Sequence, residues 1–382
     1  MNCPSVLIID DDPDVERAKF DMMQSHQIIL DVCHPQDVVG RQLFDADVVV
    51  VDFKLDEGWK QRDSLKEIAL QPLNGLAVIS ILQSHAMRAA SENESPTAFV
   101  LRSAHLNDLL PDFTADSRLH VIAAQCNLDW VLTKNVSIEE QGRQLTKLAT
   151  AIQGLPASWD FDDANRLNEQ VREWLKLPDS NWGPLAWQDI EDCHPPMYEI
   201  VSRKHGLRLV RWLTQRILPY PCFLWTTARI ANRLRVSLAS METALKNGLS
   251  ELLQPVQYNG ALNEFDGQVR WWRSGFESVL WELTEGRSFD TDHTRELLNQ
   301  RCDGALTDGG MNQPVLCLDR EFQIQDAPCE MEDAVRIHPD YWPVYADPAW
   351  ARIIDVADEP RLASAVIAAD RERLSQAIAE GS

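Results

Sequence analysis

Asp10, Asp11 and Asp12 stand in a row directly after the apolar run Val6–Ile9. Three adjacent like charges repel, and a chain that only had to end a strand would do better with Asn, Ser or Gly. Asp52 closes a second apolar run, "DVVVVDF", and Ser103 and Lys134 close two more, "TAFVLRSA" and "LDWVLTKN". Clustered carboxylates become favourable around a hard divalent cation, which takes oxygen ligands. Magnesium held by few protein ligands keeps waters and can also take a phosphoryl group. A hydroxyl and an ammonium can bind the remaining phosphoryl oxygens, and a carboxylate in such a site can act as a nucleophile.

These residues work together only if the fold brings them to one edge. Along the first 153 residues strand-like runs (5–10, 27–33, 47–53, 97–104, 128–135) are separated by helical patterns at 15–26, 35–46 and 74–93. A last helix, 137–155, opens with Ser137 and Glu140 at capping-box spacing and ends near Gly154 and Pro156. Near-continuous apolar strands alternating with helices predict a doubly wound parallel sheet covered on both faces. Ligands in such sheets bind at the carboxyl ends of the strands, which is where the acids, Ser103 and Lys134 fall.

On the pieces "LIIDDDPD", "VVVVDFKLDEG", "FVLRSA" and "WVLTKN", residues 4–153 resemble the receiver domain of two-component response regulators. The resemblance implies that Asp10 and Asp11 form an acidic pair holding Mg²⁺, with Asp11 a direct ligand. Asp52 would be the phospho-acceptor and a further metal ligand, and the carbonyl of Lys54 would complete the metal site. Ser103 would be the switch hydroxyl and Lys134 the lysine that pairs with the phosphoryl group. A histidine kinase or phosphotransfer protein would be the donor. The chain departs from the family pattern in three places. Asn135 replaces the usual proline, and Val131 occupies the aromatic switch position, with Trp130 one place earlier. The loop after the acceptor is long, so that 56–73 reads as an insertion before Gly75.

The whole chain carries a net charge of −23, with 45% hydrophobic residues. No apolar run is long enough for a membrane helix, and no basic region precedes the first apolar run. Eight cysteines are scattered without a CxxC pair, which argues for reduced thiols rather than a disulfide framework or a zinc site. A cytoplasmic protein is expected.

Residues from 154 onward present no catalytic signature. Cys193 and His194 are adjacent, but GxSxG, HExxH, Walker-type and paired zinc patterns are absent. The segment 226–248 spaces Ile230, Ala231, Leu234, Val236, Met241 and Leu245 like the core of a helix-turn-helix, with a turn near Arg235–Ser237. Glycine is usual where Arg235 stands. The second helix offers Leu238, Ala239, Glu242, Thr243 and Lys246 outward, and no Arg, Asn or Gln to read base edges. Eight basic residues lie between 202 and 240 without an acid, and they suit phosphate contacts. Yet beyond residue 153 there are 23 Lys+Arg against 36 Asp+Glu, which disfavours DNA. Arg270, Trp271, Trp272 and Arg273 predict cation–π packing. A strand pair is expected over 312–328, an irregular docked loop over 336–350 and one amphipathic helix over 359–380.

The expected fold is thus α/β: a five-stranded doubly wound receiver over 1–153, then a mainly α-helical, α+β C-terminal region. That region divides into helical 154–260, containing the helix-turn-helix-like segment, and aromatic-rich 261–382. The expected function is a phosphorelay response regulator whose C-terminal region acts through protein contacts. A DNA-binding regulator, a phosphate sink or scaffold, and an enzyme in the second half stay open as alternatives.

Overall fold

The computed structural model describes residues 3–21, 28–55, 72, 74–89, 96–106, 118–203 and 206–381. Apart from Pro72, the 56–73 insertion lies outside them. The chain forms two compact units. One comprises Met1–Lys176, Pro195–Arg216 and Gly260–Gly267; the other comprises Leu177–His194, Ile217–Asn259 and Gln268–Ser382. The divisions drawn from sequence at 153/154 and 260/261 are not the ones these units follow.

The first unit opens with β1 (Ser5–Ile9), α1 (Pro13–Asp21), β2 (Ile29–Cys33), α2 (Gly40–Asp45) and β3 (Val48–Asp52). It continues with α3 (Gly75–Ala89), β4 (Ala98–Ser103), α4 (Leu119–Gln125), β5 (Trp130–Thr133), α5 (Ile138–Gln153) and α6 (Ala164–Leu175). The strands pair in the order β2-β1-β3-β4-β5, all in parallel. The central β3 is the run Val48–Asp52, buried throughout because helices cover both faces. The strand order reverses between β1 and β3, so a crevice opens beyond their carboxyl ends. Asp10 and Asp52 sit there.

Two helices differ from the sequence expectation. The helix expected from residue 35 begins only at Gly40. The His34 carbonyl accepts from the Asp37 amide and its ring Nδ1 accepts from the Gln36 amide, which hold a turn there. Helix α4 was not legible at all, since seven residues are too few to show a period. At α5 the expected cap is present: Ser137 Oγ accepts from the Glu140 amide at 3.2 Å.

Later parts of the chain complete this unit. Asp129, fully buried, accepts from the Phe99 amide at 2.7 Å and from Arg211 Nε at 2.6 Å. Trp174 on α6 donates its indole N–H to the Ala151 carbonyl. Phe265 packs edge-on against Trp130, with ring centroids 4.9 Å apart, and Lys147 Nζ donates to Asn263 Oδ1 at 3.2 Å.

The second unit mixes helices with two sheets. β6 (Leu224–Thr226) pairs antiparallel with β7 (Arg270–Trp272). β8 (Pro314–Leu318), β9 (Ile324–Glu330), β10 (Ala334–Ile337) and β11 (Ala349–Arg352) form a sheet in the order β10-β11-β8-β9. The helix-turn-helix-like segment is two helices, Thr227–Arg233 and Leu238–Ala244, with Ile230, Ala231, Leu234, Val236 and Met241 buried. Arg235 takes the left-handed conformation expected of glycine, φ 55°, which costs a non-glycine residue about 1–2 kcal/mol. Arg273 stacks on Trp225, its guanidinium carbon 5.5 Å from the ring centroid.

The expected strand pair is β8 and β9. The irregular stretch within 336–350 is bounded by β10 and β11, which pair with each other. The helix expected over 359–380 is broken. Pro360–Ala365 ends where Val366 turns extended and bridges Ile337, and a new helix runs over Arg371–Gly381. A buried aliphatic contact thus outweighs helical continuity at that point.

Candidate functional site

The three aspartates after β1 do different things. Asp10 continues the sheet: its amide donates to the Cys33 carbonyl. Its side chain is buried, and Oδ1 accepts from the Asp12 amide at 2.9 Å. Asp12 is exposed and caps α1, its Oδ1 accepting from the Val15 amide at 3.4 Å. Asp11 is half-buried between them.

Asp52, the last residue of β3, is also buried. Its Oδ2 accepts from the Lys54 amide at 3.2 Å. Lys134 follows β5, where its own amide donates to the Ser103 carbonyl at 2.8 Å. That places Lys134 Nζ 2.6 Å from Asp52 Oδ1 and 3.7 Å from Asp10 Oδ2. One ammonium therefore serves two buried carboxylates. Ser103 ends β4, buried, with its Oγ accepting from the His105 amide at 2.9 Å.

The electrostatics follow from that ratio. Burial pushes the Asp10 carboxyl up to about 6, and the charges of Asp52 and Glu16 add to the effect; the Asp12 amide and Lys134 oppose it. Burial also raises Asp52, with Asp11 contributing, while Lys134 and Arg102 pull it down. The buried Asp10 Oδ2 accepts no hydrogen bond, while the buried Asp52 Oδ1 is met by the Lys134 ammonium. Among the described residues no three His, Cys, Asp or Glu side chains form a ready-made metal cluster. What is present is an all-oxygen pair with unfilled acceptor capacity, which suits a hard cation that retains most of its waters.

Two features supporting Asp52 escaped the sequence reading or were undervalued by it. Arg102 lies in β4 between Leu101 and Ser103, 3 % exposed, and pairs with Glu16 at 2.6 Å. It also donates to Gln141 at 2.8 Å and lies over the Phe20 ring. It ties β4 to α1 and α5 at the position paired with Asp52. An arginine inside a run that must be covered on both faces was the available signal. Gly75 is the second. Its amide donates to the Phe53 carbonyl, and a Cβ at this position would lie 2.1 Å from the Asp52 carbonyl oxygen. Lys54 and Asn74 form a β-bridge, so the residues flanking the insertion are tied together beside Asp52.

Val131 is fully buried in β5, and Trp130 donates its indole N–H to Gln144 at 3.0 Å. Among the basic residues of 202–240, Arg211 faces Asp129, Arg229 faces Asp347 and Arg233 makes a two-point pair with Glu277.

No family model matches this chain, and no curated protein matches it. Solved structures that match include the response regulator ChrA of a heme-sensing two-component system. The identity is 14%, covering 66% of this chain and 91% of that chain, with a TM-score of 0.23. At that score the match adds nothing to what the chain's own sheet and side chains show. No helix among the described residues is long and apolar enough to cross a membrane.

Proposed function

We propose that the first unit is a phosphoryl-accepting receiver and that the chain is a response regulator. The observation that carries this reading is Lys134 Nζ at 2.6 Å from the buried Asp52 Oδ1, with Asp10 Oδ2, which accepts no hydrogen bond, alongside, at the carboxyl edge of a β2-β1-β3-β4-β5 sheet. Asp52 attacks the phosphorus of a phosphohistidine on a kinase or phosphotransfer protein. The P–N bond breaks, the imidazole leaves with a proton, and an acyl phosphate forms on the Asp52 carboxylate. Lys134 then pairs with the phosphoryl oxygens, and the Ser103 hydroxyl donates to one of them. Asp10, Asp11 and Asp52, with the Lys54 carbonyl, are the residues that would hold Mg²⁺, which neutralises charge on the transferred group. The buried Asp10 Oδ2, which accepts no hydrogen bond, supports this assignment.

The C-terminal region signals through protein contacts in this reading. Arg211, Arg229 and Arg233 each face a carboxylate, which leaves those three arginines poorly placed to track a phosphate backbone.

The test is intact mass after incubation with a small phosphodonor and Mg²⁺, on the native chain and on Asp52→Ala. One phosphoryl group added to the native chain alone is the expected result. No addition to a folded native chain, with histidine-kinase donors also tried, would overturn the reading and leave a scaffold built on the same fold.

A further inference from the structure

The hairpin of β8 and β9 carries two cysteines on one buried face. Val315 lies directly opposite Cys329, and Cys317 is two residues further along β8, so Cys317 is the diagonal neighbour of Cys329. The register shifts between Leu316 and Leu318. The two sulfurs lie 3.0 Å apart, packed with Val315 and Ala334. A disulfide needs about 2.0 Å, so closing the bond moves the sulfurs by only about 1 Å.

The surroundings make the two thiols unequal. Cys317 is fully buried, whereas Cys329, on the edge strand β9, keeps 9 % exposure. The two sulfurs are in hydrogen-bonding contact, with either able to donate, and this contact pushes Cys317 up and Cys329 down. The positive charge of Arg352, at the end of the neighbouring β11, also lowers Cys329. Its Nε is buried with no partner. Burial and the Asp333 carboxylate oppose the shift at Cys329, and Asp355 adds to the rise at Cys317. A guanidinium beside one member of a contacting thiol pair is the arrangement that favours a nucleophilic thiolate.

We propose that Cys317 and Cys329 form a reversible dithiol that hydrogen peroxide oxidises to a disulfide, with Cys329 the attacking sulfur. The Cys329 thiolate attacks one peroxide oxygen; the S–O bond forms, the O–O bond breaks, and hydroxide leaves and takes up a proton as water. Cys329 is then a sulfenic acid. The Cys317 sulfur, losing its proton, attacks the Cys329 sulfur; the S–S bond forms and the S–O bond breaks, releasing a second water. Two thiols give up two electrons and peroxide is reduced to two waters. A thiol reductant restores the pair by exchange.

The experiment treats the full chain with hydrogen peroxide, alkylates it under denaturing conditions and maps the cysteines by mass. The expected result is a peptide pair joined through Cys317 and Cys329, lighter by two hydrogen atoms and recovered by reductant. Cys317→Ala should leave a sulfenic acid on Cys329 that a dimedone-type reagent captures. Arg352→Gln should slow disulfide formation about tenfold at neutral pH. Full alkylation of both cysteines after peroxide would overturn the proposal. So would a disulfide joining only the other neighbouring thiols, Cys193 and Cys222, or an unchanged rate in a folded Arg352→Gln chain.

Discussion

Replacing Asp10 with Asn should stabilise the first unit at neutral pH. Folding moves this carboxyl from 3.8 to about 6, so holding it ionised in the native state costs about 3 kcal/mol. Because the native value lies above the unfolded one, the native chain binds the proton more tightly. The favourable contribution is complete below 3.8 and is lost as pH rises through about 6. Asparagine never ionises and can still accept from the Asp12 amide, and Lys134 keeps its 2.6 Å contact with Asp52. The variant should therefore gain about 3 kcal/mol at pH 7.5 and about 1 kcal/mol at pH 4.5. Hydrogen exchange of the β1 and β3 amides across a urea series reads this unit separately from the other. A variant no more stable than the native chain at pH 7.5, or a gain that grows toward acid, would refute the account of Asp10 as an under-compensated buried charge. The gain should come with loss of phosphoryl uptake, the trade expected where a site is built at the expense of stability.

Gly75→Ala should slow phosphoryl uptake about a hundredfold, the penalty for a displacement near 1 Å at a reacting group. The added Cβ meets the Asp52 carbonyl, which is backbone and cannot swing aside. The rate of mass gain with a small phosphodonor measures this, and uptake at the native rate would show that the close approach does not position Asp52. Arg102→Leu should cost about 3 kcal/mol, the lower end for breaking a buried pair, because Glu16 keeps Lys19 at 2.6 Å. The same exchange experiment reads it, with partial recovery expected when Glu16→Gln is added. A loss below about 1 kcal/mol would mean the pair contributes no more than a surface one.

The strand ends were legible because their apolar runs stop at polar residues, and the candidate site is built from those residues: Asp10, Asp52, Ser103 and Lys134 all fall at one sheet edge. What the sequence hid were relations between distant positions. That one ammonium serves both Asp10 and Asp52 depends on the register of β5 against β4. That Arg102 is buried opposite Glu16 requires knowing that α1 lies over β4. Asp12 resembles its two neighbours in composition but is a helix cap, which only the Val15 amide reveals. The break at Val366 was invisible to helical periodicity because its cause is a bridge to Ile337.

The first unit is assembled from three separate stretches of chain, ending with Gly260–Gly267. This has a consequence for how the protein is made. The five sheet strands have all been synthesised by Thr133, but the ring that packs on Trp130 belongs to Phe265. At roughly 5–20 residues per second, about ten seconds pass on the ribosome before that partner exists. During that interval the indole ring and the polar end of Lys147 lack the contacts they have in the finished protein. A gene fusion that copied only the first 153 codons would make that interval permanent. The sheet and its acidic edge would be inherited, but the Trp130 flank would arrive bare, so residues 1–153 are poorly suited to travel between genes as a cassette.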